Sequence, residues 1–107
     1  MSTLINKYDA LESLIFESGL RIAVIEFKPE QDLFLVTLNT KVVLPQRISL
    51  YKRFQNASLE QLQSYELIGA GTGIHWPLLD EDLSLKGFLS LFLKDFLHGN
   101  TYNAMAA

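Results

Sequence analysis

The chain contains no cysteine. Disulfides, thiolate metal sites and thiol nucleophiles are therefore excluded together, and the absence fits a reducing compartment. It has two histidines, His75 and His98, at no recognisable ligand spacing, which leaves little for a metal site. No apolar run nears the ~20 residues that a membrane-spanning helix needs. The N-terminal stretch carries Asp9 and Glu12 where a secretory leader wants a continuous apolar block. No serine sits in a nucleophile-elbow setting. Gly69, Gly71 and Gly73 are followed by a strand-like run and a Trp-Pro pair, whereas a phosphate loop should open a helix. No repeat or low-complexity linker divides the chain. These absences point to one cytoplasmic domain over residues 1–107, with no membrane association, no cofactor, no metal and no catalytic residue.

What remains is enough for a core. Of 107 residues, 49% are hydrophobic and 20% charged, a balance that folds rather than staying disordered. The net charge is −3, but the signs are segregated. Lys41, Arg47, Lys52 and Arg53 lie in a stretch, 33 to 59, with no acid. Glu60, Glu66, Asp80, Glu81 and Asp82 lie in a stretch, 54 to 85, with no lysine or arginine. Either the two stretches neutralise each other within the fold, or they form a polar surface where a partner or a second copy docks.

Periodicity places the elements. Leu4, Tyr8, Leu11, Leu14 and Ile15 fall at helical spacing and predict a helix from 3 to 18, with Gly19 as its C-cap. Three strand-like runs follow, Leu20–Phe27, Leu33–Leu38 and Lys41–Arg47. Their links are too short for a parallel crossover, so they predict an antiparallel meander. Pro45 cannot donate to a ladder and marks the third run as an edge or strand end. Ile48–Asn56 reads as either a helical turn or an extended arm. Ser58 and Gln61 form a capping box for a short helix. Tyr65–Trp76 predicts a second hairpin, turned by the glycines. Leu85, Phe88, Leu89, Phe92, Leu93 and Phe96 form a complete helical stripe and predict a C-terminal helix over 84–97. Its apolar face exceeds what one small sheet obviously needs, so it is either all core or partly an oligomer interface. The expected class is α+β: a small antiparallel sheet, meander plus hairpin, packed against an N-terminal and a C-terminal helix.

The stretch "GIHWPLLDEDLS", Gly73 to Ser84, holds the only tryptophan and the only run of three acids. As an active site it would need His75 beside the carboxylates. Alternation argues otherwise: Ile74 and Trp76 share one face of a strand, His75 takes the other, and Pro77 redirects the chain before the acids arrive. The structural reading makes Trp76 a core anchor whose ring N–H needs a carbonyl. Leu79 and Leu83 plug the turn. Asp80, Glu81 and Asp82 then lie just before or within the first turn of the last helix, where its dipole favours acids, with Asp82 or Ser84 as N-cap. Gly73, Trp76, Pro77, Leu79 and Leu83 form a structural signature. His75, Asp80, Glu81, Asp82, Arg47, Lys52 and Arg53 are the candidate partner-binding residues.

The same run resembles a family of small bacterial and cyanobacterial proteins called domain of unknown function 2442. The matching pieces are "LNTKVVLPQRISLYKRFQNAS" (Leu38 to Ser58), "LIGAGTGIHWPLLDEDLSLKGFL" (Leu67 to Leu89) and the weaker "RIAVIEF" (Arg21 to Phe27). The resemblance covers about residues 20 to 90. It implies an α+β fold and brings no activity or cofactor. Some members are encoded beside another small domain in pairs resembling toxin–antitoxin modules, with this domain as the presumed antitoxin. Others carry a helix-turn-helix domain after it, for which this chain is expected to end too soon. A non-catalytic protein-interaction role follows, with direct nucleic-acid binding not expected. The alternative is a nucleic-acid or small-ligand module using the basic 41–53 arm, with Tyr51 and Phe54 as stacking residues.

Overall fold

The first helix owes its start to side chains rather than to a long apolar stripe. In the computed structural model, which describes residues 8–99, Asp9 caps α1 (Ala10–Phe16). Asp9 accepts from the Glu12 N–H while Glu12 accepts from the Asp9 N–H, a reciprocal capping box. The helix is therefore shorter than the expected 3–18, of which residues 3–7 lie outside the described range. The helix ends at Phe16, with Glu17 as its C-cap, and Arg21 holds the chain that follows. The Arg21 guanidinium donates to the Ile15 and Leu20 carbonyls. The Asn39 side chain fixes the linker by accepting from the Arg21 N–H and donating to the Gly19 carbonyl.

The meander forms as expected. Strands β1 (Ile22–Lys28), β2 (Leu33–Leu38) and β3 (Val43–Arg47) lie antiparallel in that order. Asp32 and Lys41, both at positive φ, complete the two turns. β3 is an edge strand and holds Pro45 opposite Leu35, where its missing N–H costs no ladder bond. The ambiguous 48–56 stretch forms two 3-10 turns, Ile48–Leu50 and Lys52–Phe54. These lead to α2 (Leu59–Gln63), which carries the Ser58–Gln61 capping box.

The second hairpin gains a third strand. β4 (Glu66–Ile68), β5 (Gly73–Trp76) and β6 (Glu81–Ser84) make a separate antiparallel sheet in that order. The Leu79 N–H donates to the Trp76 carbonyl and Asp80 sits at positive φ. Pro77 thus takes the position after Trp76 that its fixed φ suits in a type I turn. The expected corner is instead a tight hairpin. Glu81 and Asp82 consequently lie on a strand and not in the first turn of a helix, which corrects the reading above. Ser84, not Asp82, is the N-cap of α3 (Leu85–His98), accepting from the Gly87 N–H. Gly99, at positive φ, ends the helix.

One apolar cluster joins both sheets and all three helices. It contains Ile15, Phe27, Phe34, Leu44, Phe54, Leu62, Ile74, Trp76, Leu85 and Phe88, among others. Trp76 is wholly buried, and its indole N–H donates to the Leu62 carbonyl at 2.9 Å, as a buried tryptophan requires. Phe54 packs edge-on against it at 4.8 Å between centroids. Gly71 is fixed by space as well as by φ: a Cβ there would meet the Ile22 carbonyl oxygen at 2.8 Å, so the glycine turn of one sheet presses on β1 of the other.

Candidate functional site

The outer face of the second sheet is built by alternation. Ile74 and Trp76 point into the core, so His75 points out. In the register of the sheet, His75 lies opposite Glu66 on one side and Asp82 on the other. Leu85 donates to the Thr72 carbonyl at 2.9 Å, which makes that pair a hydrogen-bonded one. Counting along the ladder, His75 and Asp82 then form a non-hydrogen-bonded pair, the type that brings side chains closest. The His75 Nδ1 and Asp82 Oδ1 are 2.5 Å apart. The structure thus unites the histidine with an acid that strand geometry and Pro77 were expected to separate. That reading took Pro77 as a corner, whereas the four-residue turn returns the chain beside β5. Spacing around the loop carried the missed signal, since His75 and Asp82 flank Trp76 and Glu81 symmetrically.

Beside this pair lies an open cleft of about 340 Å³. Tyr51, Leu83, Phe88 and Leu91 supply its apolar and aromatic lining, and Asp82, Ser84 and Gly87 the rest. Two of its hydroxyls are committed. The Tyr51 hydroxyl donates at 2.8 Å to the side-chain oxygen of Gln46, which is itself wholly buried. The Ser84 hydroxyl oxygen caps α3. Only one Asp82 oxygen meets His75, and the Asp82 N–H donates to the Glu81 carboxylate. Among the described residues, no group of three or more His, Asp or Glu side chains is arranged to hold a metal ion.

The other candidate residues do not join this site as a group. Arg53 reaches Asp80 at 3.8 Å and donates to the Leu79 carbonyl, so the basic and acidic stretches meet there. Arg47 pairs instead with Asp32, at 3.5 Å. Phe54 is buried beneath Trp76 and cannot stack on a base. Tyr51 is half-buried against the core. Two of the arm's four cations, Arg47 and Arg53, are thereby held in separate ion pairs, and its two aromatics pack against the core. Leu79 and Leu83 pack against the core.

A second surface was visible only as an excess. The α3 stripe is buried at Leu85, Phe88 and Leu89, then emerges. Phe96 is 65% exposed and Leu97 74%. Leu93 is also exposed, as are Leu14 and Phe16 on α1, which packs against α3. Lys86 ties the two helices at their starts, 2.9 Å from Asp9 and 3.0 Å from Glu12. The Lys86 hydrogen bond, then that of the Glu12 N–H, holds the Asp9 carboxyl below its ordinary range. Glu12 is lowered chiefly by the Asp9 N–H and then by Lys86, while Lys86 is raised by Asp9 and then Glu12.

The family described as "Protein of unknown function (DUF2442)" matches residues 22–93. The chain belongs to this family. Two solved structures share its fold. One is a protein of unknown function from Rhodospirillum rubrum, 30% identical, with a TM-score of 0.59 over 67% of this chain and 87% of that one. The other is an uncharacterized protein from Chromobacterium violaceum, 26% identical, with a TM-score of 0.61 over 79% of this chain and 81% of that one. No curated protein matches. Among the described residues, no helix is long and apolar enough to cross a membrane.

Proposed function

We propose that this family member is a non-catalytic protein-interaction domain, and that the second half of α3 is its main contact surface. The carrying observation is the exposure of Leu93, Phe96 and Leu97 at helical spacing on a helix whose first half is core. Contiguous apolar surface of this kind marks interaction sites, and an i, i+3, i+4 ridge fits the groove of another helix. The family resemblance to paired two-protein modules supports a dedicated small partner, in the manner of an antitoxin and its toxin. A non-catalytic role is favoured by the hydrogen bonds of the cleft: the Tyr51 hydroxyl donates to Gln46, the Ser84 oxygen accepts from the Gly87 N–H, and among the described residues no hydrogen bond joins His75 to a hydroxyl.

Site-specific photo-crosslinking tests the proposal. With the crosslinker in place of Leu97, the full chain in its native host should join one discrete protein, or a second copy of itself. Crosslinks lost on Phe96→Ser would confirm the surface. A chain that stays monomeric in sedimentation and yields no discrete adduct would refute it.

A further inference from the structure

Among the described residues, three of the four sheet edges are protected by local devices. On β1, the Tyr65 hydroxyl donates to the Ile25 carbonyl and accepts from the Ile25 N–H, covering that edge position. On β3, Pro45 removes a donor. β4 is only three residues long. Short edges, prolines and covering groups are the usual defences against unwanted strand pairing. β6 is different. By the parity fixed at Leu85 and Thr72, the backbone groups of Asp82 and Ser84 face away from β5. The outward Asp82 N–H is covered by the Glu81 carboxylate, a neighbouring side chain and not a fixed part of the fold. The Asp82 carbonyl and the Ser84 N–H also face outward. Asp82, Leu83 and Ser84 line the 340 Å³ cleft, so the space beside this edge is open.

The cleft has a chemical preference. Its size is at the small end of the ~300–1,000 Å³ usual for ligand pockets, which suits one or two side chains better than a cofactor. Its lining residues are one aspartate, two aromatics, two leucines, a serine and a glycine, with no lysine or arginine. The second oxygen of Asp82 takes no hydrogen bond from the described residues. His75 meets one Asp82 oxygen from the outer face, and Lys86 and Arg53 are held elsewhere, Lys86 on Asp9 and Glu12 and Arg53 on Asp80. An arginine or lysine entering the cleft would meet a carboxylate with its head and aromatic or apolar carbon with its stem.

We propose that β6 accepts an extended segment of a partner protein by strand addition, with an arginine or lysine of that segment seated in the cleft against Asp82. The inference rests on the interaction-domain reading but uses a different face from the end of α3. Main-chain bonds to the outward groups of Asp82 and Ser84 supply affinity, and the cleft supplies selectivity for a basic residue. The acids that discourage pairing with arbitrary strands select a basic one.

Titration of the isotope-labelled full chain with three β-forming pentapeptides tests this. They are identical except at the centre, which is arginine, norleucine or glutamate. The arginine peptide should shift the amides of Glu81 to Ser84 and of the first turns of α3 saturably, at least five-fold more tightly than the other two. Asp82→Asn, a change at an exposed side chain, should erase that preference. Leu91→Lys, which puts the chain's own cation into the cleft, should abolish binding. Phe96→Ser should leave all of it unchanged, so failure here is distinguishable from failure of the α3 surface. Equal binding of the three peptides, or no saturable shift at these amides, would overturn the proposal.

Discussion

The two halves of α3 carry one continuous pattern and do opposite work. Leu85, Phe88 and Leu89 are 9% exposed or less, capped by Ser84 and tied to α1 through Lys86. Phe96 and Leu97, two turns on, are mostly in solvent. Helical spacing describes the shape of an apolar stripe and says nothing of what covers it. The difference teaches that one apolar pattern can be core over its first half and, at Leu93, Phe96 and Leu97, exposed over its second, while Phe92 still packs against the core.

The comparison breaks most sharply on truncating one residue from each half. Phe88→Ala should cost about 3–5 kcal/mol, the usual range for a buried phenylalanine, read as a fall in denaturant midpoint. Ser84→Ala should cost about 1 kcal/mol by leaving the Gly87 N–H uncapped, and should loosen hydrogen-exchange protection in the first turn of α3 alone. Acid should act next. Asp9 and Glu12 titrate below their ordinary ranges, so their contribution is complete above those ranges and is lost as pH falls through the lowered values. Lys86 is raised, so its contribution is complete below the ordinary lysine range and is lost only as pH rises through the raised value. Acidification should therefore free α1 from α3 before the core melts, visible as early loss of amide protection at Ile15. Lys86→Met should shrink that early phase to the part that comes from the Asp9–Glu12 capping box. Phe96→Ser should change stability by no more than about 0.5 kcal/mol, since the side chain is already exposed.

Much of this architecture was legible because its signals are local. The Ser58–Gln61 box, the bounds of β2 and the edge role of Pro45 follow from residue chemistry within a few positions, as does the need of the Trp76 indole for a carbonyl, though not which carbonyl meets it. β6 was not legible. Four residues offer too little alternation to outvote three acids that read equally well as the start of a helix. Only the return of the chain after Pro77 places Asp82 against His75, and that is a tertiary fact. The first helix was overextended for a related reason. Sequence spacing makes Gly19 the C-cap, whereas the helix ends at Phe16 with Glu17 as its cap, and the Arg21 and Asn39 contacts hold the chain that follows. The cleft needed the same long-range knowledge, since Tyr51 reaches it from a segment whose conformation the periodicity left open.

The central claim is that the second half of α3 is a contact surface and not surplus core. Photo-crosslinking from position 97 in wild type and in Phe96→Ser, with unfolding midpoints measured in parallel, tests it most directly. The account predicts one discrete adduct in the wild type, its loss in the variant, and midpoints that agree within error. A variant that unfolds several kcal/mol more easily, or a wild type that gives no discrete adduct, would contradict it.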